Sequence, residues 1–247
     1  MRITRRLAWV LPGVALAGLV AVVQTPQAAA ARPADRWGVI GRNTYGSPSA
    51  ELRTGPYGRT GPEFPALQPP PYGRGSLGLT VDRGEKIAFG NETDFARTPL
   101  RRIRSVKYWI FTGVDSGLST IRPSFSMEVN PRLENLPYTT LVYLPDVSLS
   151  PSRPVTHDFR NVWQRYDATA PGNRWGSSRS IDGTPACTLS SPCPFAKLKS
   201  MMPNAVISYS VAIQKGTDDA FVGAVDGLQI NNVLFDFERS GVRRRGR

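Results

Sequence analysis

Apolar and polar positions alternate over short stretches of this chain, the period-two signature of strands with one buried face. Ser124-Phe125-Ser126-Met127-Glu128-Val129 sets Phe125, Met127 and Val129 on one side and Glu128 on the other. Ile207-Ser208-Tyr209-Ser210-Val211-Ala212-Ile213 repeats the pattern and predicts that Tyr209 shares the inward face of Ile207 and Val211. Val106–Phe111 has the β-branched and aromatic bias of a buried strand. Further strands are expected at 76–81, 86–90, 139–144, 162–167, 221–230 and 233–237, separated by turn residues. Only Pro194–Met202 reads as a helix, with Ser190 or Ser191 as its cap and Pro203 as its stop. Many short strands and one short helix predict an all-β fold, an antiparallel jelly-roll β-sandwich.

The ends of the chain change what must be folded. Arg2, Arg5 and Arg6 precede an apolar run from Leu7 to Val23 and the small residues Ala28 to Ala31. That order predicts a signal peptide over 1–31, cleaved after Ala30 or Ala31, and hence a secreted protein with no stable membrane insertion. A single β-sandwich domain is expected over 32–238. Within it, 54–75 is a Pro/Gly-rich connection carrying Pro-Tyr-Gly-Arg twice, at Pro56–Arg59 and Pro71–Arg74. The chain carries 23 Gly and 22 Pro in 247 residues, below the roughly 25–30% that marks wholesale disorder. Its formal charge is +12. Removing the leader arginines leaves +9, and the arginines at 243, 244, 245 and 247 account for four more. The stretch 239–247 therefore reads as a basic disordered tail. A second basic cluster runs through Arg97, Arg101, Arg102, Arg104 and Lys107. Both suit an anionic surface, while export argues against nucleic acid as a partner. A monomer is expected.

Candidate chemistry is sparse. Cys187 and Cys193 are the only cysteines, and in an oxidising compartment so close a pair reads as a disulfide. Trp163, Tyr166 and Trp175 lie close together, with Arg165, Asp167, Asn173 and Arg174 interleaved, and Tyr143 lies upstream. Such rings stack on sugars while polar tips bond hydroxyls; equally, a β core wants rings of this size inside. Asp226, Asp236 and Glu238 are candidate ligands for a structural calcium, or else partners of turn amides and salt bridges. No other cofactor is expected. One His and two Cys cannot furnish a zinc cage. There is no G-x-S-x-G or H-E-x-x-H motif, and His157 beside Asp158 reads as a surface residue. A glycan hydrolase would need two facing carboxylates, for which Glu128 with Asp167 or Asp158 is the pair to test. No catalytic residue is assigned.

One resemblance bears on this reading. Trp163-Gln164-Arg165-Tyr166-Asp167-Ala168, then Trp175 and the two cysteines, then Phe221-Val222-Gly223-Ala224-Val225-Asp226-Gly227 closing on Phe235-Asp236-Phe237-Glu238, resemble a secreted actinobacterial and related bacterial β-sandwich module. Gly73–Leu77 and Thr139–Pro145 fit the same pattern. That module is similar to the concanavalin/laminin-G and galactose-binding-like jelly rolls, and the resemblance spans about Trp37 to Glu238. It implies the sandwich but no catalytic residues. The expected function is non-catalytic binding of a carbohydrate or a cell-wall or other extracellular polymer. The alternatives are a structural or adhesive surface protein held by basic charge, and a glycan-active hydrolase.

Overall fold

A computed structural model describes residues 36–59, 67–148 and 160–246. The expected signal peptide, His157 and Asp158 lie outside the described residues. Strands are numbered β1 to β15 in chain order. The first sheet has the order β1 (Trp37–Val39), β6 (Ile87–Asn91), β12 (Val206–Lys215), β8 (Ser124–Asn130), β9 (Thr139–Tyr143) and β11 (Trp175–Ser177). The second is built on β13 (Phe221–Ile230), with β7 (Val106–Thr112) and β10 (Trp163–Asp167) on one side. On its other side β5 (Gly75–Val81) and β2 (Ser49–Thr54) pair with the first half of β13. There, β14 (Val233–Glu238) and β15 (Gly241–Gly246) continue the sheet from the second half. All pairings within the two sheets are antiparallel. The chain crosses repeatedly from one sheet to the other, the connectivity of a jelly-roll sandwich.

The alternation read from the sequence decides the layers. Phe125, Met127 and Val129 of β8 point inward with Leu141 and Tyr143 of β9, and Leu77 and Leu79 of β5 meet them from the second sheet, all within one buried cluster. All nine expected strands are present. The expected helix is α1 (Phe195–Met201), which buries Phe195 and Leu198. Its N-cap is Pro194, with no side-chain cap, so neither Ser190 nor Ser191 plays that part. Cys187 and Cys193 form a disulfide. Its loop is tied to β11, for Trp175 and Cys193 exchange backbone hydrogen bonds and Ser177 N donates to the Cys187 carbonyl. Closing a loop this short contributes roughly 2 kcal/mol by restricting the unfolded chain.

The expected basic tail is corrected by β15. It pairs along β14 with Asp236 opposite Arg243 and Phe237 opposite Val242. Val242 is buried in the core, and Arg245 bonds the buried Asp236 carboxylate at 2.7 Å. One inward valine and an acidic neighbour strand suffice to order a segment whose composition reads as solvated charge.

The Pro/Gly-rich connection holds the two-residue strands β3 (Gly58–Arg59) and β4 (Leu67–Gln68). Both Pro-Tyr-Gly-Arg copies engage residues of the second sheet. In the first copy, the Pro56 carbonyl accepts from Trp163 Nε1 at 3.1 Å. In the second, Tyr72 N donates to Asp226 and Arg74 N to Glu238. Here β13 bulges between Asp226 and Gln229, and Gly227 takes φ +61°. A Cβ there would lie 2.3 Å from the Tyr72 ring, so only glycine fits. Among the described residues no helix is long and apolar enough to cross a membrane.

Candidate binding site

The aromatic residues expected to stack on a ligand are interior. Tyr143, Tyr166 and Trp175 have no exposed surface and Trp163 has 2%. Trp175 stacks on Phe195 at 4.5 Å and donates its Nε1–H to the Ala168 carbonyl. Tyr108 packs against both Tyr143 and Tyr166 at about 6 Å, and burial pushes all three hydroxyls well above the ordinary tyrosine range. Trp163 leaves the main core but packs on Phe111 beneath the Pro56 segment. The cause is size, since rings this large stabilise the sandwich most when removed from water.

The polar residues interleaved with them do not form a site. Arg165 is exposed, and Asp167 pairs with Lys107 at 3.2 Å and accepts from Thr169. Asn173 is buried and donates to the Asp167 carbonyl, while Arg174 bonds the Gly172 carbonyl. The candidate calcium ligands are engaged too. Asp226 accepts from Tyr72 N and Phe237 N, Asp236 pairs with Arg245, and Glu238 accepts from Arg74 N. Among the described residues no cluster of three or more His, Cys, Asp or Glu side chains is arranged to hold a metal ion. Burial pushes the Asp226 carboxyl up to about 8, against the pull of the Gly227, Tyr72 and Phe237 amides and with added repulsion from Asp236.

The residues that do converge lie on the outer face of the first sheet. Glu128 projects outward from β8, opposite the core-facing Met127 and Val129, yet is only 3% exposed. A bulge in β12 encloses it. Ile207 pairs with Val129 and Val211 with Met127, so three residues of β12 oppose Glu128 alone. The extra length turns Ser208 and Ser210 onto Glu128. Ser210 Oγ donates to its carboxylate at 2.5 Å, and Ser208 Oγ to its carbonyl at 3.3 Å. The same bulge reverses the expected orientation of Tyr209, which stands 55% exposed instead of facing inward with Ile207 and Val211.

Two more segments complete the site. Tyr138, just before β9, donates its hydroxyl to Glu128 Oε1 at 2.7 Å. Arg42, in the 3₁₀ turn Gly41–Asn43, bonds Glu128 through Nη2 and Glu92 through Nη1. The turn is seated by Ile40, which packs with Ala88 and Ala212 on this outer face. The Arg42 guanidinium lies 5.7 Å from the centre of the Tyr209 ring, and Tyr138 and Tyr209 meet edge to face at 5.8 Å. Arg179 covers the Tyr138 ring at 5.8 Å. Together Arg42, Asn43, Glu128, Tyr138 and Tyr209 line an open groove of about 500 Å³.

Electrostatically the floor of the groove is an ionised carboxylate. Burial alone would raise the Glu128 pKa, but hydrogen bonds from Ser210, Tyr138, Arg42 and Asn43 outweigh it and hold the group below its ordinary value. Glu128 is thus an anchor that fixes the Arg42 fork and the Tyr138 hydroxyl at the groove. A glycosidase acid needs the opposite, a raised pKa. Of the two expected partners, Asp167 belongs to the other sheet, and Asp158 lies outside the described residues.

Of these groove residues only Glu128 stands out in the sequence as candidate chemistry. Its signal was a lone carboxylate in an otherwise apolar and serine strand. Tyr209 carried a weaker one, its two flanking serines. Arg42 and Tyr138 carried none. The chain matches no protein-family model, and no curated protein or solved structure shows a significant match to it.

Proposed function

We propose that this protein is an exported, non-catalytic binding module that takes a carbohydrate of a cell wall or other extracellular polymer in the Tyr138–Tyr209 groove. The observation that carries this reading is the Tyr209 ring. It is raised into solvent by a strand bulge, beside a second tyrosine and a guanidinium fixed by a buried carboxylate. An exposed aromatic face offers a sugar ring its C–H contacts, and the Arg42 N–H groups left over from Glu92 and Glu128 offer hydrogen bonds that set orientation. Hydrolysis needs two facing carboxylates, and among the described residues lining the groove Glu128 is the one carboxylate, which supports binding. The disulfide supports an oxidising compartment, and the resemblance to secreted sandwich modules points the same way.

Retention on insoluble chitin, cellulose, xylan and bacterial wall preparations tests the proposal. The wild-type protein is expected to be retained by at least one of them. Tyr209→Ala should weaken that retention about tenfold or more, as loss of a stacking anchor does, with thermal stability unchanged. Retention by none, or equal retention of the variant, overturns it.

A further inference from the structure

A second cavity opens at the edge of the sandwich, where β1 and the loop after β6 face β14 and β15. Its volume is about 450 Å³, within the roughly 300–1,000 Å³ of small-molecule sites. Its lining is mixed: Phe95, Ile103, Ile230, Val233 and Phe235 form an apolar strip, and Thr93, Asp94, Thr98 and Asn231 are polar. Phe95 and Phe235 pack at 5.9 Å, and Phe235 packs on Trp37 at 5.0 Å. Two arginines, Arg36 and Arg244, also line it. Arg36 is held by Asp94, whose charge it offsets. Asp94 also accepts from Asn91 and Thr93. Arg244 is exposed and makes no ion pair among the described residues.

The charge extends beyond the cavity. Asn231, another lining residue, accepts from Arg104 N at 2.7 Å and donates to the Arg102 carbonyl at 2.8 Å. This ties the exposed 101–104 turn to the cavity. Arg101, Arg102 and Arg104 have exposed side chains that form no ion pair among the described residues. A cleft with an apolar strip, one unpaired guanidinium on its lining and three more on the adjoining turn matches a molecule with a hydrocarbon chain and an anionic head.

We propose that this cleft binds a single anionic amphiphile, the chain between Phe95, Val233 and Phe235 and the phosphate or carboxylate head at Arg244. The site is separate from the tyrosine groove and independent of its function. The basic residues of β15 and of the 101–104 turn thereby acquire a specific role in place of general attraction to anionic surfaces.

Titration of the full chain with dodecyl phosphate below its micellar concentration tests this, by calorimetry and by tryptophan emission, with Trp37→Phe assigning the change to the ring that packs on Phe235. Saturable one-to-one binding is expected, with an emission change. Arg244→Glu should weaken it about tenfold or more by reversing the charge at the head site. Val233→Trp, which fills the cleft from a half-buried position, should weaken it as much. Dodecyl maltoside, with the same chain and no charge, and inorganic phosphate, with the charge and no chain, should each bind at least tenfold more weakly. Phosphatidylglycerol vesicles form the last arm. Capture that falls with Val233→Trp would identify bilayer lipid as a source of the ligand. Equal capture of both proteins without dodecyl phosphate binding would mean surface charge alone and would overturn the proposal. So would equal affinity for the maltoside, or no saturable binding at all.

Discussion

The partners of a side chain decide its chemistry more than its identity does, and Glu128 is the case in point. In water it would be one more exposed carboxylate on a strand. Enclosed by the β12 bulge it accepts from Ser210, Tyr138 and Arg42 and stays ionised. Each hydrogen bond to a charged group contributes about 1.5–3 kcal/mol, partly offset by desolvation. Glu128→Gln keeps the shape but removes the charge and turns an amide N–H toward donors. At pH 7 it should cost roughly 1–3 kcal/mol. Because the folded pKa lies below the ordinary value of 4.5, the charge stabilises the fold above 4.5. That contribution is lost as pH falls through the folded pKa. The gap between variant and wild type in urea denaturation should therefore be present at pH 7 and narrow as pH falls below 4.5. A gap that does not narrow below pH 4.5, or none at pH 7, would contradict the anchoring role.

Elements differ in how plainly the sequence announces them. The nine expected strands all carry at least one clear apolar face, and hydrophobic alternation finds them because burial of that face is what forms them. The strands that alternation does not announce are short or lie at edges: β1, β3, β4 and β11 have two or three residues, and β2 and β15 present mostly polar side chains. In β15 a single buried residue, Val242, stands beside three exposed arginines, so composition reads as charge. The groove was largely illegible for a related reason. Its residues come from positions 42, 128, 138 and 209, and only strand register brings them together. Alternation also assigns Tyr209 to the wrong face, since a bulge shifts phase without any residue type that marks it. If β15 is an integral strand, Val242→Ala should lower stability by about 1–3 kcal/mol, the burden of losing most of a buried valine side chain. Denaturant unfolding measures this directly. A residue in a solvated tail would give no change.

At the scale of the molecule, both sheets carry irregular chain on their outer faces. Ile40 and its turn seat on the first sheet, and the Pro-Tyr-Gly-Arg segments engage the second. The second covering depends on a buried carboxylate. Asp226 sits on the β13 bulge, has no exposed surface, and joins Tyr72 N to Phe237 N through its two oxygens. Asp236 adds repulsion, while Arg245 and Arg243 favour a charge on Asp236. With a folded pKa pushed up to about 8 against an ordinary 3.8, Asp226 favours the fold while protonated. Its contribution is complete below 3.8, declines as pH rises because the unfolded chain ionises first, and is gone once pH passes 8. Wild-type protein should thus lose stability between pH 5 and pH 8 from this group, a window separate from that of Glu128. Asp226→Asn cannot ionise, so its stability should change far less over the same range, even if the amide fits the two N–H donors less well at every pH. Urea denaturation at pH 5, 6.5 and 8 compares the two slopes. Parallel slopes would show that the Pro-Tyr-Gly-Arg segment is held without a pH-sensitive group beneath it.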